Sequence, residues 1–332
     1  MPGIGESVLR AGVIGVGAMG LNHARVYSQI EGVELAAVAD PSSERRRVAA
    51  SLAGGPRAYA DYREMLASER LDLVTVAVPT GLHREVTTAA LERRVPVLVE
   101  KPIAASREDG QAMIRSASDA GCQLMVGHVE RFNPAVQELK RRLEAGELGR
   151  VFLARAERVG PFLQRTRDVG VVQDLATHDI DILRFLLASE VERVYAETQA
   201  GLRTAHEDLL SAVMRFGGGV VALLEVNWLT PAKVRRLALV GEKGMFVVDY
   251  LTQELVFHER ELAGAACPAD GGTTVPVVRQ EPLRAELEAF LRSVAGGLPS
   301  PVPAEDALAA VEVAACLVES GRTGRAVEVR TP

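Results

Sequence analysis

The feature that most restricts this chain is Gly15-Val16-Gly17-Ala18-Met19-Gly20, a GxGxxG set between the apolar run Leu9 to Val16 and a helix-like stretch from Leu21 to Ile30. Each glycine has a separate physical reason. Gly15 permits a tight strand-to-helix turn, Gly17 lets backbone amides approach a pyrophosphate with no Cβ in the way, and Gly20 lets the helix pack closely. The N-terminus of that helix then faces the phosphates with unsatisfied N–H groups and the positive end of its dipole. Asp40 stands twenty residues past Gly20, at the end of the apolar run Val33 to Asp40, where a carboxylate accepts both ribose hydroxyls. The expected cofactor is NAD, because Asp40 repels a 2′-phosphate. Ser42, Arg45, Arg46 and Arg47 follow at once and leave NADP open.

A turn of this kind belongs to a βαβ unit, and the next hundred residues repeat the pattern. Apolar runs at Leu73 to Val78, Val95 to Glu100 and Leu124 to Gly127 alternate with helical patterns at Ser42 to Leu52, Leu82 to Arg94 and Ser106 to Ala120. That is a doubly wound parallel sheet. A helix from Pro134 to Ala145 follows, and then the character changes. Strand-like segments dominate at Val151 to Val159, Val191 to Ala200, Leu209 to Phe216, Val220 to Asn227, Val234 to Val240 and Met245 to Tyr250. Helices are expected at Asp174 to Leu187, Leu283 to Ala295 and Ala304 to Ser320. The reading is an α/β protein of two domains: residues 1–130 bind the dinucleotide, and 131–332 carry an open-faced, largely antiparallel mixed sheet for substrate binding and oligomerisation. The last helices are expected to pack back on the first domain. A chain of 332 residues accommodates two such domains.

Two further motifs carry chemistry. Only four of the 38 basic residues are lysines, and one of them, Lys101, sits in Glu100-Lys101-Pro102 at the end of a strand. Ligands of open α/β sheets bind beyond the carboxyl ends of strands, so Lys101 points to the cofactor crevice, where an ammonium assists removal of a hydroxyl proton. In Asp174-Leu-Ala-Thr-His178-Asp179-Ile-Asp181, residues 174, 178 and 181 share one stripe of a helix, opposite Leu175, Ile182 and Leu186. A histidine with a carboxylate one turn away makes a base and its orienter, although Asp174 as an N-cap and His178 as a packing residue is an equally concrete local reading.

These three motifs, in this order, resemble the Gfo/Idh/MocA oxidoreductases over nearly the whole chain, through to Glu319-Ser320-Gly321-Arg322-Thr323-Gly324. The resemblance implies a Rossmann domain followed by an α/β domain, with Lys101, Asp174 and His178 as the substrate triad. It also implies a cis peptide at Lys101-Pro102. Cofactor contacts are expected from Gly15, Gly17, Ala18, Met19, Gly20, Asp40, Pro79, Thr80, His83, Glu100 and Lys101. At 80 and 81 this chain has Thr and Gly where many members have Asn or Asp.

Val126 to Pro134 and Arg158 to Val171 resemble the family's UDP-N-acetylglucosamine 3-dehydrogenase branch, which implies oxidation of a sugar C3 hydroxyl. Arg131, Asn133, Arg158 and Arg165 then join Asp174 and His178 as substrate contacts. Residues 150–167 hold five arginines against Glu157 alone, a local surplus suited to a diphosphate within a chain of net charge −6. Period two puts Arg155 and Arg158 on opposite faces of their strand. The alternatives are an inositol or sugar-phosphate dehydrogenase of the same family, and a regulator that binds cofactor or sugar without turnover. Net charge argues against nucleic acid as a partner. No apolar run suggests a membrane span, and Cys122, Cys267 and Cys316 show no zinc or disulfide pattern. A cytoplasmic homodimer or homotetramer without metal is expected, acting on a small sugar, in nucleotide-linked form.

Overall fold

The structure is a computed structural model that describes residues 8–162, 169–201, 205–260 and 271–329. The chain divides into two compact units, Met1–Val129 with Leu283–Leu308 and Glu130–Pro282 with Ala309–Pro332.

In the first unit the elements run β1 (Leu9–Ile14), α1 (Ala18–Tyr27), β2 (Val33–Ala39), α2 (Ser43–Ala50), β3 (Arg57–Tyr59), α3 (Tyr62–Ser68), β4 (Leu73–Val76), α4 (His83–Leu91), β5 (Val97–Glu100), α5 (Arg107–Ala120) and β6 (Leu124–Gly127). The strands pair in the order β3-β2-β1-β4-β5-β6, all parallel. This is the doubly wound order whose direction reverses between β1 and β4. Every residue of β4, β5 and β6 is buried, as expected of strands covered on both faces. Ser42, Asp61 and Ser106 cap α2, α3 and α5 by accepting a backbone N–H, and Gly121 ends α5 at φ 61°. The sequence pattern missed β3 and α3. Three residues of a sheet edge, Arg57 and Ala58 exposed and Tyr59 half-buried, carry no apolar run to read.

The second unit contains α6 (Pro134–Glu144), β7 (Val151–Pro161), a π-helical turn at Val172–Ala176, α7 (Thr177–Leu187), β8 (Val191–Ala200), β9 (Glu207–Phe216), β10 (Val221–Asn227), β11 (Leu229–Gly241), β12 (Gly244–Asp249), β13 (Glu254–Glu259) and β14 (Thr273–Val275). The chain continues through α8 (Pro282–Gly296) and α9 (Ala304–Thr323) to β15 (Val327–Glu328). The nine strands are ordered β14-β13-β12-β11-β7-β10-β9-β8-β15, antiparallel except for β7 against β10. Alternation along β9 buries Leu210, Ala212, Met214 and Phe216, which pack with Leu183, Leu186, Val226, Leu237, Phe246 and Leu317. Tyr195, Val213 and Leu223 stay exposed on the other face. Arg155 is exposed and Arg158 buried, in keeping with opposite faces of β7. The strand expected at Val234 begins at Leu229, because Asn227 Oδ1 accepts from the N–H groups of Leu229 and Thr230 and turns the chain directly into β11. Among the described residues no helix is long and apolar enough to cross a membrane.

Candidate active site

The reversal between β1 and β4 creates a cavity of about 610 Å³ in the first unit. Its walls include Gly15, Gly17, Asp40, Arg45, Tyr62, Val78, Pro79 and Leu82. Gly15 adopts φ 83°, and a Cβ there would lie 2.7 Å from the Ala77 carbonyl oxygen. At Gly20 a Cβ would fall 1.7 Å from the Gly15 oxygen, so the turn closes only with glycine at both positions. Gly17 differs. A Cβ there would have only Arg45 Nη1 within reach, at 3.9 Å, so the main chain faces open space. No side chain caps α1, which leaves its N-terminus available to an anion.

Asp40 is buried to 4% exposure at the rim of this cavity. Its Oδ2 accepts the Val16 N–H at 3.0 Å and its Oδ1 the Ser42 N–H at 2.8 Å, which fixes the carboxylate without consuming all its lone pairs. Arg45 approaches to 3.7 Å, whereas the Arg46 guanidinium donates to the Asp40 and Pro41 carbonyls. The far wall comes from the α3 region that the sequence pattern missed. Burial and the Glu85 carboxylate push the Tyr62 hydroxyl up to about 12. An open glycine cradle, an uncapped helix end and a fixed carboxylate are the donor set a dinucleotide needs, and Gly15 to Gly20, Asp40 and Pro79 would hold it.

Glu100 ends β5, and the Lys101–Pro102 peptide that follows is cis. Burial pushes the Glu100 carboxyl up, but the hydrogen bond from His23, with the charges around it, brings it below its ordinary value. His83, expected at the cofactor, is not in the cavity wall. Its ring is 1% exposed, with Nδ1 3.0 Å from the Pro102 oxygen and Nε2 2.9 Å from the Val78 oxygen, and burial lowers its pKa. It braces the turn after β4 against the segment after the cis peptide. Thr80 is half-buried in the one-turn helix Thr80–Leu82.

In the second unit Asp174 lies in the π-helical turn and His178 in the first turn of α7, both half-buried. Asp181, expected on the same stripe, is fully buried and accepts paired hydrogen bonds of 2.8 and 2.6 Å from Arg131. Arg131 is thereby engaged with a carboxylate rather than presented to a ligand. Asn133, also expected at the substrate, caps α6 by accepting the Ala135 N–H and donates to the Tyr250 carbonyl. Arg158, expected at the diphosphate, lies in the interior of the second unit. At 4% exposure it pairs with Asp179 at 2.6 and 3.1 Å and with Glu130 at 3.0 Å. Burial alone would lower this guanidinium, but the two carboxylates hold it above its ordinary value. Arg150 lies against Glu242, so two of the five arginines in residues 150–167 are answered by acids distant in sequence. Arg165 lies outside the described residues.

The sequence reading also missed Arg235. It stands opposite Arg158 in the β11–β7 register, donates to the Val159 carbonyl at 2.6 Å, and is lowered to about 10 by burial and by the Arg158 charge. Asp174 is close enough to act on it in the opposite sense. Period two along the expected strand Val234 to Val240 already puts Arg235 on the face of the buried Leu237 and Leu239, which is the signal that could have found it.

Residues 9–128 match the profile described as "Oxidoreductase family, NAD-binding Rossmann fold", and residues 136–247 match the GFO/IDH/MocA C-terminal domain. The chain belongs to the GFO/IDH/MocA oxidoreductase family. It is similar to a UDP-N-acetylglucosamine 3-dehydrogenase of Acidithiobacillus ferrooxidans, 33% identical over 88% of this chain and 90% of that one. An inositol 2-dehydrogenase of Saccharopolyspora erythraea is 31% identical over 97% of this chain and 96% of its own. A solved structure of the Acidithiobacillus 3-dehydrogenase superposes with a TM-score of 0.85 at 30% identity, covering 95% of this chain and 98% of that chain. As a GFO/IDH/MocA member the protein is an NAD-dependent oxidoreductase acting on CH–OH groups.

Proposed function

We propose that this family member oxidises a secondary alcohol of a nucleotide-linked sugar to a ketone, C3 of UDP-N-acetylglucosamine or a related UDP-sugar. The observation that carries the reading is the 33% identity to the 3-dehydrogenase over 88% of the chain. With Arg150 and Arg158 already facing carboxylates, only part of the local arginine surplus adds to it. The first domain holds the cofactor, and residues after 130 bind the sugar. When bound, the nicotinamide supplies the hydride acceptor. His178 takes the proton of the substrate hydroxyl, Asp174 orients the imidazole and favours its charged form, and the Lys101 ammonium hydrogen-bonds the same oxygen and eases loss of its proton. The exposed apolar residues Tyr195, Val213 and Leu223 support association of copies through the open sheet face.

A second reading, oxidation of an inositol, is favoured by the 31% identity over 97% of the chain. Cofactor reduction followed by absorbance with UDP-N-acetylglucosamine, myo-inositol and sugar phosphates separates the two. Turnover of the UDP-sugar is the expected result. Turnover of myo-inositol with none of the UDP-sugar replaces the first reading by the second.

A further inference from the structure

Beneath the segment that carries Lys101 the first unit buries a polar cluster that the proposed chemistry does not use. His23, Tyr27 and Glu286 are all 0% exposed, Thr75 likewise, and Glu100 is 9% exposed. They come from four different elements. His23 and Tyr27 are one turn apart on the inner face of α1, Thr75 is on β4, Glu100 ends β5, and Glu286 is on α8. Tyr27 and Thr75 satisfy each other at 3.0 Å. His23 Nε2 lies 2.7 Å from Glu100 Oε1, and the second oxygen of Glu100 accepts the backbone N–H of Lys101 at 3.2 Å. A continuous path therefore runs from the helix that opens at the glycine turn, through two side chains, to the main chain at Lys101.

We propose that His23 is a positioning residue for Lys101: it holds Glu100, and Glu100 holds the backbone from which the lysine projects. The inference rests on the reading of Lys101 as a group that touches the reacting hydroxyl.

The cluster places its negative charge on Glu100. Burial and the proximity of Glu100 keep Glu286 protonated, since two neighbouring carboxylates in so dry a site do not both ionise. Glu100 stays ionised because the histidine answers it. An ionised carboxylate is a stronger acceptor for the Lys101 N–H than a protonated acid. Removing His23 takes away the strongest influence that opposes burial, so Glu100 is protonated more readily and its second oxygen holds the Lys101 N–H less firmly. The lysine is then set by a main chain that has lost its anchor, and displacements of about 1 Å at a catalytic group cost about 100-fold in rate.

The test compares H23F, H23Q, E100Q and K101A with wild type, reading kcat and KM for the sugar nucleotide, and the NAD dissociation constant by calorimetry. H23F is expected to lower kcat by about 10- to 100-fold, with KM and NAD affinity within about threefold. Gln presents an amide donor near the position of the imidazole Nε2, so H23Q restores most of the loss. Wild-type kcat in H23F, or equal losses in H23F and H23Q, overturns the inference while a slow K101A leaves the role of Lys101 standing. A K101A enzyme with wild-type kcat overturns the reading of Lys101 and this inference with it. Should H23F not fold, E100Q decides: it keeps an oxygen for the Lys101 N–H but not the charge. A kcat about tenfold lower, with NAD affinity unchanged, supports the path; unchanged kcat refutes it.

Discussion

Replacing Glu286 by Gln tests the assignment of charge within the buried cluster. The side chain is 0% exposed, and neither carboxyl oxygen has a hydrogen-bond partner among the described residues. Burial, and then the charge of Glu100, raise its pKa well above the ordinary 4.5. Below that value the folded and unfolded chains both carry the proton. Above it the unfolded chain releases the proton and the folded chain does not, so stability falls as pH rises until the folded carboxyl itself ionises. A difference of one proton corresponds to about 1.4 kcal/mol per pH unit. Glutamine has the shape of the protonated acid and does not titrate, so E286Q lacks this slope. Any cost of burying its amide is a constant offset that does not change with pH. Urea unfolding followed by far-ultraviolet circular dichroism, from about pH 4 to about pH 7, should give stability differences that widen in favour of E286Q by about 1.4 kcal/mol per unit. Parallel curves for the two proteins would refute the protonated assignment.

The glycine turn predicts two opposite outcomes. In G20A the added Cβ meets the Gly15 oxygen at 1.7 Å, so thermal melting should reveal a loss of about 1–3 kcal/mol together with weaker NAD binding. In G17A the nearest atom is 3.9 Å away, so stability should match wild type while NAD affinity, read by calorimetry, falls about tenfold or more; undiminished affinity would show that the pyrophosphate does not cross Gly17. R158M leaves Asp179 buried without its partner and should cost about 3–5 kcal/mol in urea unfolding with little change in KM for the UDP-sugar. The reverse pattern, normal stability and a raised KM, would return Arg158 to the substrate.

The parts of this molecule that were legible in the sequence are those whose physics is local. Gly15, Gly17, Gly20 and Asp40 lie within 26 consecutive residues, and the strain of the turn and the reach of the carboxylate follow from that spacing. The buried parallel strands announce themselves as apolar runs for the same reason. Residues whose surroundings depend on a remote partner were not legible in this way. Arg131 and Arg158 looked available because Asp181 and Asp179, 50 and 21 positions away, are not visible as their partners along the chain. The contacts of His83 to the carbonyls of Pro102 and Ile103 are likewise invisible along the chain, and His23 gives no signal because a lone histidine on a helix carries no pattern. β13 and β14 are short, and Glu254, Glu259, Thr273 and Thr274 dilute their apolar character.

The first compact unit is discontinuous in the chain, and that has a consequence for how the protein is made. Its sheet ends in β6, where Met125 bridges to Pro303 and the Val126 N–H reaches the Val302 oxygen at 3.4 Å, while Gln123 Nε2 donates to the Leu298 oxygen at 3.0 Å. A ribosome that has finished residue 129 has still to add 179 more before residue 308 exists. At about 5–20 residues per second this lasts roughly 9 to 36 s. Throughout that interval the nascent nucleotide-binding half carries an open β edge and an unfilled Glu286 position beside Glu100. The edge is the kind of surface that recruits other strands, so the period of greatest exposure to misassembly falls during synthesis of the other half.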